Sequence, residues 1–212
     1  MLYLTGSIPQ RPDMRTALKQ AGVGVMAQPR SYNPDALNGW TWAADNGCFN
    51  DNWDPDVWVD WLERMRYTPG CLFAVVPDKV GDAAVTRQMF TEWAAIVTDL
   101  GYRAAYVAQN GATPASIPWA DIACVFIGGD TAWKLGHQAE AITRHAKQLG
   151  LWVHMGRVNS RRRMAIAESW GVDSCDGTFL KFGPDTNTPR LARMIEHTNN
   201  NPSLFGMPRT TR

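Results

Sequence analysis

The chain has 212 residues, with 21 Lys and Arg against 20 Asp and Glu and a net charge of +1. This length suits one domain with a sizeable core, and the balanced charge excludes a general attraction to nucleic acid or membranes. The sequence has no signal-peptide pattern and no apolar run long enough to span a bilayer, so we expect a soluble, cytoplasmic protein.

Short apolar runs alternate with longer amphipathic segments along the whole chain. Strands are predicted at residues 2–6, 23–28, 41–46, 72–78, 104–109, 124–129, 152–157 and 175–180. Helices are predicted at residues 12–20, 55–67, 82–100, 132–149, 160–170 and 189–199. Pro12, Pro55 and Pro189 fit first-turn positions of their helices.

This alternation predicts a parallel α/β fold, and its closed form is a compact (β/α)8 TIM-like barrel. Because the second and fifth crossovers look too short for full helices, an open, doubly wound parallel sheet is the alternative. Nothing marks an internal boundary, so we expect one domain over residues 1–199 and a loosely ordered tail over 200–212. The sequence leaves the oligomeric state open.

The cysteines and histidines are dispersed along the chain. Cys48, Cys71, Cys124 and Cys175 form no CxxC pair, which favours reduced thiols over a disulfide framework or a zinc site. His154 lies on a predicted strand and is expected to be packed or capping. We therefore expect no metal and no cofactor.

Polar residues gather where the predicted strands end. Asp45, Asp78 and Asp176 each follow or close an apolar run, as do Gln109 and the glycines of VFIGGD. In either parallel architecture these ends share the face where ligands bind. The alternative role for an aspartate here is a helix N-cap, which Asp82 and Asp130 fit. Several carboxylates with an amide suit chemistry at a glycosidic bond to a base.

Five segments, in order, resemble the queuine tRNA-guanine transglycosylase superfamily, especially the short phage-encoded DNA 7-deazaguanine transglycosylases of the DpdA type. These segments are AADNGCF at 43–49, FAVVPD at 73–78, YVAQNGA at 106–112, VFIGGD at 125–130 and GVDSCDG at 171–177. The resemblance implies a pentosyltransferase that exchanges guanine in DNA for a free 7-deazaguanine base, in the host cytoplasm if phage-encoded. A minimal tRNA-guanine transglycosylase and a catalytically silent barrel that binds nucleobase or nucleic acid are the alternatives.

The resemblance also implies residue roles. Asp176 would be the nucleophile that forms a covalent glycosyl intermediate, and Asp45 the general acid and base. Asp78 would bind the N–H edge of the base. Gln109, with Gly128 or Gly129, would contact the carbonyl side of the base. Asp173 is expected only to close the turn before the last strand.

Four arginines lie near the start of the helix predicted at 160–170, namely Arg157, Arg161, Arg162 and Arg163. Cations at a helix N-terminus oppose the macrodipole, so this arrangement favours a nearby anion such as a nucleic-acid phosphate. A solvated charged turn explains the triplet equally well. DNA is the first expected polymer and tRNA the second.

Overall fold

The computed structural model describes residues 1–49 and 53–200. Eight parallel strands close into one barrel in the order of the chain, with β8 pairing with β1. The strands are β1 (Leu2–Thr5), β2 (Val23–Ala27), β3 (Trp42–Ala44), β4 (Cys71–Val75), β5 (Ala104–Ala108), β6 (Cys124–Ile127), β7 (Trp152–Met155) and β8 (Ser174–Gly177). The expected (β/α)8 barrel is therefore confirmed, and the chain folds as a single domain.

Seven α-helices surround the barrel within the described residues. They are α1 (Pro12–Gln20), α2 (Pro55–Met65), α3 (Ala83–Asp99), α4 (Thr131–Lys134), α5 (His137–Gln148), α6 (Arg161–Ser169) and α7 (Pro184–Asn200). The second and fifth crossovers contain only short 3₁₀ turns. These short connections still close the barrel, so the open sheet is not the observed form.

Alternation along each strand divides the apolar residues between two cores. One cluster includes Leu4, Met26, Phe73 and Val107. A larger cluster, with Trp58 among its members, takes in the alternate strand residues and the inner faces of the helices. Because the barrel is packed in this way, the polar residues at the strand ends lie at its mouth.

Two helix boundaries differ from the prediction. The predicted helix 132–149 is interrupted, since α4 ends at Lys134 and Gly136 becomes the N-cap of α5. The last helix begins at Pro184, and Pro189 lies inside it rather than in its first turn. Residue 200 is the last residue of α7, and the rest of the expected tail, 201–212, lies outside the described residues.

None of the helices within residues 1–49 and 53–200 is both long and apolar enough to cross a bilayer.

Candidate active site

Asp176 lies on β8 at the mouth of the barrel, with its side chain 21% exposed. Its Oδ1 accepts a hydrogen bond from the backbone N–H of Arg157 at 3.2 Å and lies 3.1 Å from Nε2 of His154. Arg157 has φ of 57°, a left-handed conformation that is unusual for a residue with a side chain. In this conformation the backbone N–H of Arg157 points at the carboxylate of Asp176.

Asp45 follows β3 directly and is half-buried at the same mouth. Its Oδ2 accepts from Nε2 of Gln28 at 2.6 Å, and its Oδ1 accepts from the N–H of Gly47 at 3.4 Å. Burial raises the pKa of Asp45 to about 6, although the bond from Gln28 lowers it, and the negative charge of Asp176 raises it further. Asp45 can therefore hold or release a proton near neutral pH.

Asp78 is buried and belongs to a network of amides. Its Oδ1 accepts from Nδ2 of Asn46 and its Oδ2 from Nε2 of Gln109, each at 2.7 Å. The side-chain oxygen of Gln109, Oε1, in turn accepts from the backbone N–H groups of Gly129 at 2.8 Å and Gly81 at 2.9 Å. Burial raises the pKa of Asp78, whereas the two amide donors lower it. These bonds tie together the loops that follow β3, β4, β5 and β6.

Gly128 and Gly129 are required by close packing. The N–H of Gly128 donates to the carbonyl of Ala108 at 2.9 Å. A Cβ on Gly128 would lie 2.8 Å from a methyl group of Val107, and one on Gly129 would lie 2.5 Å from the ring of Trp133. Gly129 also has φ of 68°. A side chain does not fit at either position.

The four predicted phosphate-binding arginines divide into two pairs. The guanidinium of Arg157 donates to the carbonyl of Gly129 and lies over the ring of Phe49, 5.3 Å from its centroid. Arg163 donates to the carbonyl of Arg157 at 3.2 Å. Arg161 and Arg162 are exposed at the start of α6, and neither forms an ion pair within the described residues. Within the described residues the first pair is thus held by backbone carbonyls, whereas the side chains of Arg161 and Arg162 extend into solvent.

The structure adds functional candidates that the sequence assigned no role. Gln28 directly follows β2, as Asp45 directly follows β3. This position at a strand end is the sequence signal that could have identified Gln28 as a site residue. Lys134 is 1% exposed and donates from Nζ to the carbonyl of Gly156 at 2.6 Å. Burial, with the nearby charge of Arg157, lowers the pKa of Lys134 to about 8. No local pattern around Lys134 predicts that burial.

The aspartates assigned to structural roles also have partners. Asp82 and Asp130 accept hydrogen bonds at the N-termini of α3 and α4, so both expected caps are confirmed. Asp173 does more than close a turn: it pairs with Nζ of Lys147 at 2.7 Å and accepts from the N–H of Val153 at 2.8 Å. Within residues 1–49 and 53–200, no three His, Cys, Asp or Glu side chains cluster as metal ligands would.

No protein-family model matches the chain, and no curated protein matches it. Solved structures do match. The structure described as "Native KDPGal structure" is 17% identical, with 94% of this chain and 93% of that chain covered and a TM-score of 0.59. A 4-hydroxy-2-oxoglutarate/2-deydro-3-deoxyphosphogluconate aldolase from TTHB1 is 13% identical over 92% of each chain, with a TM-score of 0.56. A putative fructose-1,6-biphosphate aldolase from Coccidioides immitis is 11% identical over 94% and 88%, with a TM-score of 0.55. At these identities the likeness shows the fold alone.

The expected exchange of guanine for a 7-deazaguanine, in DNA or in tRNA, is wrong by this comparison. The neighbours above are barrels of other chemistry, and none of them is a transglycosylase. In addition, both oxygens of Asp78 and the side-chain amide of Gln109 already have partners within the protein. The family resemblance, the individual residue roles, and DNA, tRNA or a free base as partners stay predictions.

Proposed function

We propose that this protein is an enzyme in which Asp45 and Asp176 transfer protons to and from a small polar substrate at the mouth of the barrel. The observation that carries this proposal is the difference between the surroundings of the two carboxyl groups. Asp45 has a pKa of about 6 because it is buried, whereas Asp176 receives a backbone N–H and faces an imidazole nitrogen. Two carboxyl groups held in different environments are suited to opposite roles in proton transfer.

In the proposed reaction, the carboxylate of Asp176 takes a proton from the substrate and becomes a carboxylic acid. Protonated Asp45 gives its proton to the substrate atom that gains electrons, and becomes a carboxylate. With a pKa of about 6, roughly a tenth of Asp45 is protonated at pH 7. The cycle ends when the two groups exchange protons with water, which can reach the mouth because Asp45 is half-buried rather than buried as a residue and the Asp176 side chain is 21% exposed.

The barrel mouth supports this proposal because parallel α/β barrels place their chemistry at the carboxyl ends of the strands. The fold neighbours include aldolases, and cleavage of a hydroxy-keto acid needs a base for the hydroxyl proton and an acid for the carbon that is released. Hydroxy-keto acids, sugars and their phosphate esters are therefore the first compounds to test. The neighbours guide the choice of compounds and do not establish the reaction.

The test is incubation of these compounds with the protein in D2O, followed by mass spectrometry for products and for incorporated deuterium. We expect at least one compound to react, and we expect Asp176→Asn and Asp45→Asn to lose most of that activity. Asp60→Asn, on the exposed side of α2, is the control for loss of a charge. Absence of any reaction across the set, or full activity in folded Asp176→Asn, would contradict the proposal.

The arginines beside the mouth support a ligand that carries phosphate. Arg161, Arg190 and Arg193 line a groove of about 840 Å³ between α6 and α7, with Phe179 and Met194 among its apolar residues. No ion pair within the described residues neutralises these three guanidinium groups. Because the net charge is only +1, anion binding would depend on such local groups rather than on a general field.

The phosphate proposal is tested by titrating inorganic phosphate, a sugar phosphate and duplex DNA at several salt concentrations. The double variant Arg161→Ala/Arg193→Ala should weaken binding, and Arg64→Ala/Arg66→Ala, at the end of α2, is the control. For duplex DNA each lost phosphate contact should reduce the log-log salt slope by about 0.9. Binding by the small phosphates alone would indicate a metabolite site, and no effect of the double variant would refute this groove.

A further inference from the structure

A chain of hydrogen bonds, buried at its centre, runs beneath Asp176 into the barrel. Nε1 of Trp152 lies 2.8 Å from Oγ of Ser174, and that hydroxyl lies 2.8 Å from Nδ1 of His154. The other ring nitrogen of His154 lies 3.1 Å from Oδ1 of Asp176. His154 and Ser174 are both 0% exposed. The chain therefore connects the mouth to the interior without contact with solvent at its two central residues.

The pairing of β7 with β8 explains why these side chains meet. His154 lies opposite Ser174 in the parallel register of the two strands. Side chains two residues apart point to the same face of a strand, so Trp152 shares a face with His154, and Asp176 with Ser174. This register explains why side chains from the two strands alternate along the hydrogen bonds, in the order Trp152, Ser174, His154 and Asp176.

The direction of each hydrogen bond follows from the chemistry of its donors. An indole N–H only donates, so Oγ of Ser174 is the acceptor from Trp152. The serine hydroxyl has one proton, and within the described residues its one acceptor is Nδ1 of His154. The arrangement that uses every donor and acceptor of this chain has the hydroxyl donating to Nδ1, with the ring proton of neutral His154 on Nε2, from which it is donated to Asp176.

The imidazole is also held in place by aromatic rings. The ring of Phe126 lies 4.5 Å from that of His154 between centroids, and the ring of Phe73 lies at 5.4 Å. With both ring nitrogens bonded and two aromatic neighbours, the orientation of the imidazole is fixed from several sides.

The two oxygens of Asp176 consequently differ. Oδ1 is bonded by the backbone N–H of Arg157 and by His154. Within residues 1–49 and 53–200, no hydrogen bond is recorded to Oδ2. The carboxylate thus has one oxygen engaged by the protein and one left for another partner.

We propose that Trp152, Ser174 and His154 are positioning residues that fix the Nε2–H tautomer of His154, so that Oδ1 of Asp176 is always held and Oδ2 is the oxygen that reacts with substrate. The tautomer is a property of the folded protein, but its catalytic meaning rests on the proposed function. Removing the serine hydroxyl leaves Nδ1 without its donor, so the tautomer with Nδ1–H is then no longer excluded.

The experiment is long-range ¹H–¹⁵N NMR of His154 in the full chain, which distinguishes a protonated ring nitrogen from an unprotonated one. Wild type should show only the Nε2–H tautomer. Ser174→Ala should show a measurable share of the Nδ1–H tautomer beside Nε2–H. Thr143→Val is the matched control, because it removes a buried hydroxyl from α5 that bonds only within its own helix. Trp152→Phe is a second variant that removes the indole donor and keeps an aromatic ring.

An Nδ1–H tautomer in wild type would overturn the proposal, and so would an unmixed Nε2–H tautomer in both Ser174→Ala and Trp152→Phe. If a substrate is found, His154→Leu should lower kcat at least tenfold with little change in KM, and His154→Gln should recover part of that loss because its amide can still donate. Failure of every compound to react would contradict the proposed function and leave the tautomer result standing. An Nδ1–H tautomer in an enzyme that turns over normally would contradict the tautomer proposal and leave the proposed function standing.

Discussion

Replacing Asp45 by asparagine should stabilise the protein at neutral pH, although it removes a group of the proposed active site. Folding raises the pKa of Asp45 from 3.8 to about 6, so the folded state binds its proton more tightly than the unfolded state does. Stability from this group is therefore present at low pH and is lost as pH rises between these two values. The amide in Asp45→Asn has no proton to lose, so it avoids that loss while it can still accept from Gln28.

The magnitude follows from the two pKa values. One unit of pKa corresponds to about 1.36 kcal/mol, so the gain from Asp45→Asn should approach about 3 kcal/mol at pH 7.5. At pH 4.5 most folded molecules are already protonated at Asp45, and the gain should fall to about 1 kcal/mol.

Urea unfolding of wild type and Asp45→Asn at both pH values measures these gains. Asp60→Asn, whose side chain is exposed on α2, should show no such dependence on pH. An equal gain at the two pH values, or no gain at pH 7.5, would refute the argument that burial of Asp45 costs stability.

Three further substitutions test packing and charges in other parts of the barrel. Gly177→Ala should lower the free energy of unfolding by about 1–3 kcal/mol, because its Cβ would lie within 2.5 Å of two side-chain oxygens. The control is Gly6→Ala, whose Cβ meets nothing within 4 Å and should not cause this loss. A thermal melt compares the two variants. Asp173→Asn should lower the free energy of unfolding, measured in urea, by about 1–3 kcal/mol, because it removes the charge that pairs with Lys147 at 2.7 Å. Glu140→Gln, in an exposed helical ion pair, should lower it by less than about 0.5 kcal/mol. Equal losses would show that the Asp173 pair does not stabilise the fold. The pKa of Lys134 is lowered on folding, so the unfolded state binds its proton more tightly between about pH 8 and pH 10.5. The stability of wild type relative to Lys134→Met should therefore rise across this range in the same assay, and a difference that does not change with pH would contradict the argument.

The barrel itself could be predicted because its physical signals are local. Apolar runs of strand length alternate with amphipathic helices, and prolines and glycines mark many of the boundaries. The last helix shows where such signals fail. Pro189 looks like a first-turn proline, but α7 begins five residues earlier at another proline, Pro184, and tolerates Pro189 within it. The interruption before α5 was missed because a single glycine gives no clear sign of a new N-cap.

The contents of the site were less predictable than its position. Asp45 and Asp176 could be placed at one end of the barrel because parallel strands end on one face. The hydrogen bonds of His154 depend on the register between β7 and β8, which the sequence of either strand alone does not determine. The same holds for Asp78, whose amide partners come from the loops after two other strands.

The predicted function failed for a related reason. Five short segments in order suggested a family, but the first four combine the apolar end of a strand with polar or glycine residues, and the fifth is a strand that carries an aspartate near its end. That combination is expected at the mouth of any parallel barrel, whatever its reaction. The fold therefore followed from these segments, whereas the chemistry did not.

The central claim, that Asp45 and Asp176 act together at the mouth, is tested most directly by ¹³C NMR titration of the Asp45 carboxyl group. In wild type the pKa of Asp45 should be about 6, raised by burial and in part by the charge of Asp176. In Asp176→Asn that charge is gone, so the pKa of Asp45 should fall, whereas Asp60→Asn should leave it unchanged. A pKa near 3.8 in wild type, or a value that does not respond to Asp176→Asn, would contradict the account.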